Sequence, residues 1–241
     1  SVVLFWHSLN QSKHTKQAIF TGLAYGLGYF GVGVSWVFVS MVNHGDTHWL
    51  LATVLTFLFC GGFALYYVLF AGLFYRFKLH HQYPTLLFAG LWIGLDLLRG
   101  WLLTGLPWLY LGYAGLDTFL AGYAPILGVH GVTLLLLMSG LLAVGAQAKL
   151  HFRLGLLVGL WFAGYALGTI PWTQPSPQDP IKVTLLQGDV SLEDKWLPQT
   201  LAPTLGYYFK QSYLHMDSDL IVWPETAIAT YWDRVAPAFE P

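Results

Sequence analysis

Five long apolar segments occupy most of this chain and leave it few ways to fold outside a lipid bilayer. Helices of about 20 apolar residues are long enough to cross the hydrocarbon core of a membrane. Only 10% of the residues are charged, whereas soluble domains carry roughly 25%. The sequence therefore predicts a mainly α, multi-span transmembrane helical bundle over residues 1–170. The five segments lie near residues 18–42, 49–75, 84–99, 118–148 and 152–170.

Both ends of the chain look incomplete. Residues 1–9 are apolar but too short to cross a bilayer, and they lack the basic start and cleavage site of a signal peptide. They are interpreted as the tail of a further span. The chain also stops at Pro241 without a recognisable boundary. We therefore expect this sequence to be a piece of a longer protein, truncated at both ends.

The basic residues between the apolar segments alternate from loop to loop. Lysines or arginines occupy the loops near residues 13–16, 76–78 and 149–153, whereas the loop at 43–48 has neither. Because basic loops stay on the cytoplasmic side, the chain beyond Ile170 is predicted to lie outside the cytoplasm.

A different pattern begins after the last apolar segment. Residues 171–180 contain four prolines and are predicted to be an extended linker. Residues 181–187 and 219–223 then resemble buried strands, and a helix is expected at 197–215, its start delayed by Pro198 and Pro203. Strand, helix and strand in this order favour a parallel pair. Residues 181–241 are thus predicted to be the start of an α/β domain.

Glu225 is the strongest candidate for chemistry because it comes directly after the second predicted strand. Sites in α/β folds lie at the carboxyl ends of the strands. Low-dielectric surroundings there would raise the pKa of a carboxylate and make it a usable general base. A solvated loop glutamate is the alternative interpretation.

Other features exclude function classes or favour structural roles. A net charge of -1 excludes a broad basic surface for nucleic acid. The single cysteine, Cys60, is interpreted as a buried small hydrophobe. His44 and His48 are four apart but lie in a loop, so no metal site is expected.

Asp96 and Arg99, three apart on a helix, are expected to form an ion pair. The paired glycines 22/26, 90/94, 155/159 and 164/168 are expected to let helices approach closely.

The Trp-Pro-Glu sequence at 223–225 resembles the segment that carries the catalytic glutamate of the nitrilase superfamily, whose members use a Glu–Lys–Cys triad. Several further segments resemble one family of that superfamily, the apolipoprotein N-acyltransferases, which place a helical bundle before the hydrolase domain. These segments cover nearly the whole chain. They are residues 35–40, 98–109, 112–113, 124–129 and 185–190.

The resemblance implies a specific reaction. A nitrilase-like αββα domain outside the inner membrane would take an acyl chain from a phospholipid as a cysteine thioester. It would then pass the chain to the N-terminal amine of a lipid-modified apolipoprotein. Glu225 would be the general base, and no cofactor is implied. Trp196 matches an aromatic residue of the family's mobile arm, with packing at a helix start as the alternative. Trp108 and Tyr113 would line the lipid path, with an interfacial aromatic belt as the alternative.

This chain departs from the family at several positions. Nothing in it matches the triad's lysine or cysteine: Lys195 belongs to a surface-like turn, and Cys60 lies in an apolar segment. This fragment is therefore expected to be inactive alone. The family carries an acidic residue where this chain has His130. Two other functions stay open, a membrane-tethered amidase of the same superfamily and a non-enzymatic transporter or scaffold.

The alternation of basic loops predicts how the chain crosses the membrane. Reporter fusions at Pro177 should be active only outside the cytoplasm, and fusions at Lys149 only inside it. The opposite pattern would refute this topology.

Overall fold

A computed structural model describes residues 1–78, 80, 83–144, 149–176 and 179–236. The chain divides into two compact units, Ser1–Thr173 and Gln174–Pro241. We call the first the membrane unit and the second the α/β unit, and each is described by itself.

The described residues of the membrane unit form seven α-helices, with three short 3₁₀ turns between α5 and α6. The fold is mainly α, as the sequence predicts, and helices form in each predicted apolar segment; residues 145–148 of the fourth segment lie outside the described residues. The helices are α1 (Val2–Gln11), α2 (Thr15–Gly33), α3 (Trp36–Asn43), α4 (Trp49–Lys78), α5 (Pro84–Trp101), α6 (Ala124–Val144) and α7 (Leu150–Gly168).

Three stretches of the described chain are long and apolar enough to cross a membrane: α4, residues 119–144 and α7. Helices α2 and α3 together form a fourth candidate, bent by 45° at their junction. Helix α5 has 18 residues but falls short of this apolar composition because it carries Asp96 and Arg99. That α5 also crosses the bilayer stays a prediction from the sequence. The unit is a multi-pass helical bundle.

Small residues set the contact between α2 and α4. A Cβ atom at Gly22 would lie 2.3 Å from the Tyr67 carbonyl oxygen, and one at Gly26 would lie 2.8 Å from the Ala64 Cα. Both distances are too short for any larger residue, so the two helix backbones touch. The close-packing prediction is confirmed here, and Gly164 similarly contacts the Phe119 carbonyl.

The other paired glycines do not pack in this way. A Cβ atom at Gly90, Gly94, Gly155 or Gly159 would meet nothing within 4 Å in the described structure. The prediction of helix contacts through these two pairs is therefore wrong for this chain. Spacing alone shows that two glycines share a helix face, but not which face the neighbouring helix covers.

Aromatic side chains fill the space between α1, α2, α4 and α5. Phe5 stacks on Tyr25 with ring centroids 4.1 Å apart, and Tyr67 meets Trp92 edge-on at 5.5 Å. Offset and edge-to-face pairs of this kind stabilise a core beyond the area that they bury. Cys60 lies in the same core, as the sequence predicts, and its Sγ lies 3.5 Å from the Phe30 carbonyl oxygen.

Two basic side chains satisfy the carboxyl ends of neighbouring helices. Lys78 Nζ, at the end of α4, donates to the carbonyl oxygens of Leu9, Asn10 and Ser12 at 2.9–3.0 Å. Arg153, in α7, donates to those of Leu142 and Ala143 at 2.7 Å. The last carbonyls of a helix have no partner within it, and cations there also complement the helix dipole. These residues therefore fasten α1 to α4 and α6 to α7.

Asp96 and Arg99 form the expected ion pair, and it is buried. Arg99 Nη2 lies 2.9 Å from Asp96 Oδ1, with 3% and 8% of the two side chains exposed. The Arg99 guanidinium also lies over the Phe30 ring at 5.5 Å and the Tyr110 ring at 4.9 Å. Removing one partner would leave an uncompensated buried charge. Through its two ring contacts, Arg99 also links the end of α5 to α2 and to the loop that follows α5.

The α/β unit contains two short parallel strands, β1 (Val183–Leu185) and β2 (Leu220–Val222), in the register Val183 to Leu220. Helix α9 (Pro198–Leu214) lies between them in the chain, and the described part of the unit also has two short helices, α8 (Leu192–Lys195) and α10 (Trp232–Val235). The predicted parallel pair is confirmed. The predicted delay of the helix start is wrong: Pro198 is the first residue of α9, where no N–H bond is needed.

The glycine contacts predict opposite effects of the same substitution at two sites. Gly22→Ala should push α4 away and destabilise the bundle by about 1–3 kcal/mol, the usual cost of overpacking. The matched control Gly155→Ala meets open space and should leave the melting temperature unchanged or raise it, because alanine favours helix. Thermal melts of both variants in the same detergent check this. Equal effects at the two positions would refute the close contact.

Candidate functional site

A cavity of about 560 Å³ opens in the α/β unit where both strands end. Its walls come from the segments that follow β1 and β2, from the end of α8 and from α9. This is the edge at which parallel sheets place their sites. Polar lining residues are Gln187, Asp189, Lys195, Thr204, Tyr208 and Thr226.

The chain turns sharply after β2, and Glu225 occupies that turn. The Ala227 amide donates to the Pro224 carbonyl at 3.2 Å, which closes a four-residue turn. Thr226, its third residue, has a φ of 57°. A left-handed conformation is uncommon for a β-branched residue and signals strain of the kind that clusters at functional sites.

Glu225 itself is exposed, whereas its neighbours Pro224 and Thr226 line the cavity. The described part of this unit therefore does not give Glu225 the low-dielectric surroundings that the sequence led us to expect. The reason is local: the turn projects beyond the end of β2, so its second residue points away from the small core formed by Leu186, Tyr208 and Ala227.

The segment after β1 forms the opposite wall, and α9 holds it. The Gly188 amide donates to the Tyr208 hydroxyl at 3.1 Å, and the buried Tyr208 ring stacks on Trp223 at 5.0 Å. Asp189 follows with a φ of 50°. Both strand ends therefore continue into a strained non-glycine residue beside the cavity, and Tyr208 links them.

Lys195 is the site residue that the sequence did not identify. Its Nζ donates to the Glu225 carbonyl oxygen at 3.0 Å, and the residue lines the cavity. The segment lies at the surface, as the sequence predicts, and this side chain also reaches the cavity. Its 30-residue distance from Glu225 leaves no signal in the sequence. The next residue, Trp196, is 62% exposed, so it is not the partly buried helix-start residue of the alternative interpretation.

The polar groups at the far end of the strands take no part in the cavity. Lys182 and Asp217 form an exposed salt bridge before β1 and β2. Hydrogen bonding to the Lys182 ammonium lowers the pKa of the Asp217 carboxyl. The Lys182 amide donates to Asp219 Oδ2 at 2.7 Å. These contacts set the register of the two strands.

The other two predicted site residues, Trp108 and Tyr113, lie in the membrane unit between α5 and α6. The Trp108 ring is 5.4 Å from that of Trp36, at the start of α3. Tyr113 lines a groove of about 700 Å³ together with Tyr29 and Leu109. About half of each side chain is exposed, 55% for Trp108 and 49% for Tyr113. The structure thus places both on the segment between α5 and α6, residues 102–123, which we call the outer segment, but only Tyr113 lies in the groove.

Hydrogen bonds hold this outer segment against the bundle. The Thr133 hydroxyl accepts from the Gly112 amide at 2.9 Å and donates to the Val129 carbonyl at 3.0 Å. On the α2 side, the Tyr29 hydroxyl donates to the carbonyl of Leu109, which has a φ of 62°. The segment is therefore a fixed part of the membrane unit.

Tyr110 connects the outer segment to the buried ion pair. Its ring lies under the Arg99 guanidinium and 4.9 Å from the His130 ring, and burial raises the pKa of its hydroxyl. His130 follows Gly128, whose φ of 63° breaks the helical path of α6. Among the described residues, His130 Nδ1 is buried without a hydrogen-bond partner. In this chain His130 thus packs beside the ion pair.

Comparison with known proteins matches both parts of the chain. Residues 1–142 match the family model described as "Apolipoprotein N-acyltransferase N-terminal domain". Three relatives share the name apolipoprotein N-acyltransferase. The one from Pseudomonas syringae pv. tomato is 39% identical over 95% of this chain and 46% of its own length. The one from Photobacterium profundum is 39% identical over 94% and 44%. The one from Methylococcus capsulatus is 40% identical over 98% and 48%.

The chain therefore spans about half the length of the curated relatives that it matches. The family model covers more than half of the chain, and the similarity to the relatives continues through both units. The segments that suggested the resemblance, from the outer segment to the Trp-Pro-Glu turn, all lie within these matches. This chain belongs to the apolipoprotein N-acyltransferase family.

Proposed function

We propose that the gene product containing this sequence moves a fatty acyl chain from a phospholipid to the N-terminal amine of a diacylglyceryl-modified lipoprotein. The acyl chain passes through a cysteine thioester, so the reaction is covalent catalysis in two steps. Family membership carries the proposal. The bundle suits this task because both substrates are anchored in lipid and reach the enzyme within the membrane plane.

In this proposal Glu225 is the general base. It takes the proton of the thiol as the thioester forms and returns it to the departing lysophospholipid oxygen when the ester bond breaks. It later takes the proton of the attacking amine and returns it to the cysteine sulfur when the thioester bond breaks. The position of its turn at the edge of a cavity that several polar side chains line, directly after β2, supports this role. The triad's lysine would stabilise the oxyanion. We propose neither Lys195 nor Cys60 for the remaining triad positions; the contact of Lys195 with a backbone carbonyl and the burial of Cys60 in the membrane unit support this choice.

Trp196, Trp108 and Tyr113 are proposed to bind the lipid substrates. All three present large exposed rings, and such rings favour boundaries between water and apolar surroundings. Tyr113 has the further support of the apolar groove that it lines. We place the protein in the bacterial inner membrane with the α/β unit on the periplasmic side, following the basic loops of the membrane unit.

Glu225→Gln tests the proposed base in the gene product. The amide keeps the size and hydrogen bonding of the side chain but cannot take a proton. The initial rate of acyl-enzyme formation from labelled phospholipid should fall at least about a hundredfold, the low end of a positioned general base. The melting temperature should hardly change, since Glu225 is exposed.

The matched control is Glu193→Gln, which removes the same charge from another exposed glutamate of the α/β unit. Its rate should stay close to that of the unmodified protein. A normal rate for Glu225→Gln, or an equal loss in both variants, would remove Glu225 from the mechanism.

The 241-residue chain alone should form no acyl-thioester. Cys60 is its single cysteine, and the residue lies in the aromatic core with 6% of its surface exposed. After incubation with labelled phospholipid, hydroxylamine should release no label from the chain. Label that is present in this chain and absent from its Cys60→Ala variant would contradict both the burial and the structural role of Cys60.

A further inference from the structure

We propose that Lys195 is a positioning residue, which holds the central peptide of the Glu225 turn in an orientation that Thr226 on its own disfavours. The kinetic part of this inference rests on the proposed function, because it acts through Glu225. The structural part stands on the turn and on its contact with α8.

The dihedral angles define the turn. Its ends are Pro224 and Ala227, joined by the 3.2 Å hydrogen bond. Glu225, at the second position, keeps a negative φ, and Thr226, at the third, has a φ of 57°. A negative φ followed by a positive one is the pattern of a type II turn, which normally requires glycine or asparagine at the third position. Thr226 is an unfavourable residue there.

The orientation of one peptide group separates the two common turns. Type I and type II turns differ by a flip of the central peptide, here the one between Glu225 and Thr226. The type I form would let Thr226 adopt the negative φ that a β-branched residue prefers. A contact outside the turn must therefore hold the type II form. The direction of the Glu225 carbonyl shows which way the central peptide is oriented.

Lys195 contacts that carbonyl. Its Nζ donates to the Glu225 oxygen at 3.0 Å, and a bond from a charged donor is stronger than one between neutral groups. In the described part of the chain no carboxylate forms an ion pair with Lys195, so this acceptor has no such competitor. Flipping the peptide would turn the carbonyl away and lose the bond.

Hydrogen bonds within α8 fix the backbone position from which the Lys195 side chain extends. The Ser191 hydroxyl accepts from the Asp194 amide at 3.1 Å and donates to Asp194 Oδ2 at 2.8 Å. The Lys195 amide donates to the Ser191 carbonyl at 2.9 Å. Trp196 follows immediately, so a displacement of the segment that carries this exposed ring would also displace the ammonium that holds the turn.

Four variants of the gene product test the inference: Lys195→Met, Lys195→Arg, Thr226→Gly and the double variant Lys195→Met/Thr226→Gly. Lys195→Met keeps the length of the side chain but removes the donor. It should lower kcat for acyl-enzyme formation about tenfold, which corresponds to about 1.4 kcal/mol of bias between the two peptide orientations. KM should hardly change, and Lys195→Arg, which keeps a cationic donor, should retain most of kcat.

The double variant separates positioning from direct binding. Glycine accepts a positive φ without strain, so with Thr226→Gly the turn no longer needs Lys195. The double variant should therefore match Thr226→Gly alone to within about twofold, the error of additivity. If Lys195 instead bound a substrate anion directly, Lys195→Met would raise KM and glycine would not restore the rate. Either result would overturn the inference.

A structure of the Lys195→Met variant gives an answer that is independent of activity. A negative φ at Thr226 would support the inference, and a φ that stays positive would overturn it. A normal acylation rate in Glu225→Gln would refute the proposed function instead and would leave this structural comparison to decide the role of Lys195.

Discussion

The hydrocarbon core of a bilayer offers no water to a free backbone carbonyl or amide, and the architecture of the membrane unit follows from that constraint. Helices satisfy their own interiors but not their ends. Lys78 and Arg153 satisfy two of these ends from neighbouring helices, and Thr133 satisfies the amide of Gly112 in the outer segment. Polar side chains are scarce in this unit, and these three are used where the backbone would otherwise lack a partner.

Strain is concentrated in the regions proposed for function. Five described non-glycine residues have a positive φ: Asp46, Thr104, Leu109, Asp189 and Thr226. Two belong to the outer segment with Trp108 and Tyr113, and two flank the cavity of the α/β unit. Such conformations persist only where the surroundings enforce them. Tyr29 does so at Leu109, and the proposed role of Lys195 is the same at Thr226. Each of these contacts joins residues far apart in sequence.

The sequence predicts most of the elements of this fold but few of the contacts between them. Apolar length and β-branched runs are local properties, and they locate the helices and both strands. The Asp96–Arg99 pair is also local, since the two residues lie three apart on one helix. The exposure of Glu225, the contact of Lys195 and the open faces of Gly90 and Gly155 depend on which surfaces meet after folding. Residue spacing within one segment contains no information about that.

The contacts of Lys78 also have a consequence for biosynthesis. Its acceptors precede it by 66–69 residues, so the carboxyl end of α1 leaves the ribosome long before its partner exists. The carbonyls that Arg153 satisfies precede it by only 10–11 residues. Helices α6 and α7 can therefore be joined as soon as they are made. Helix α1 has to wait in the insertion machinery or the lipid until α4 is complete, so its contacts with α4 in the aromatic core form late.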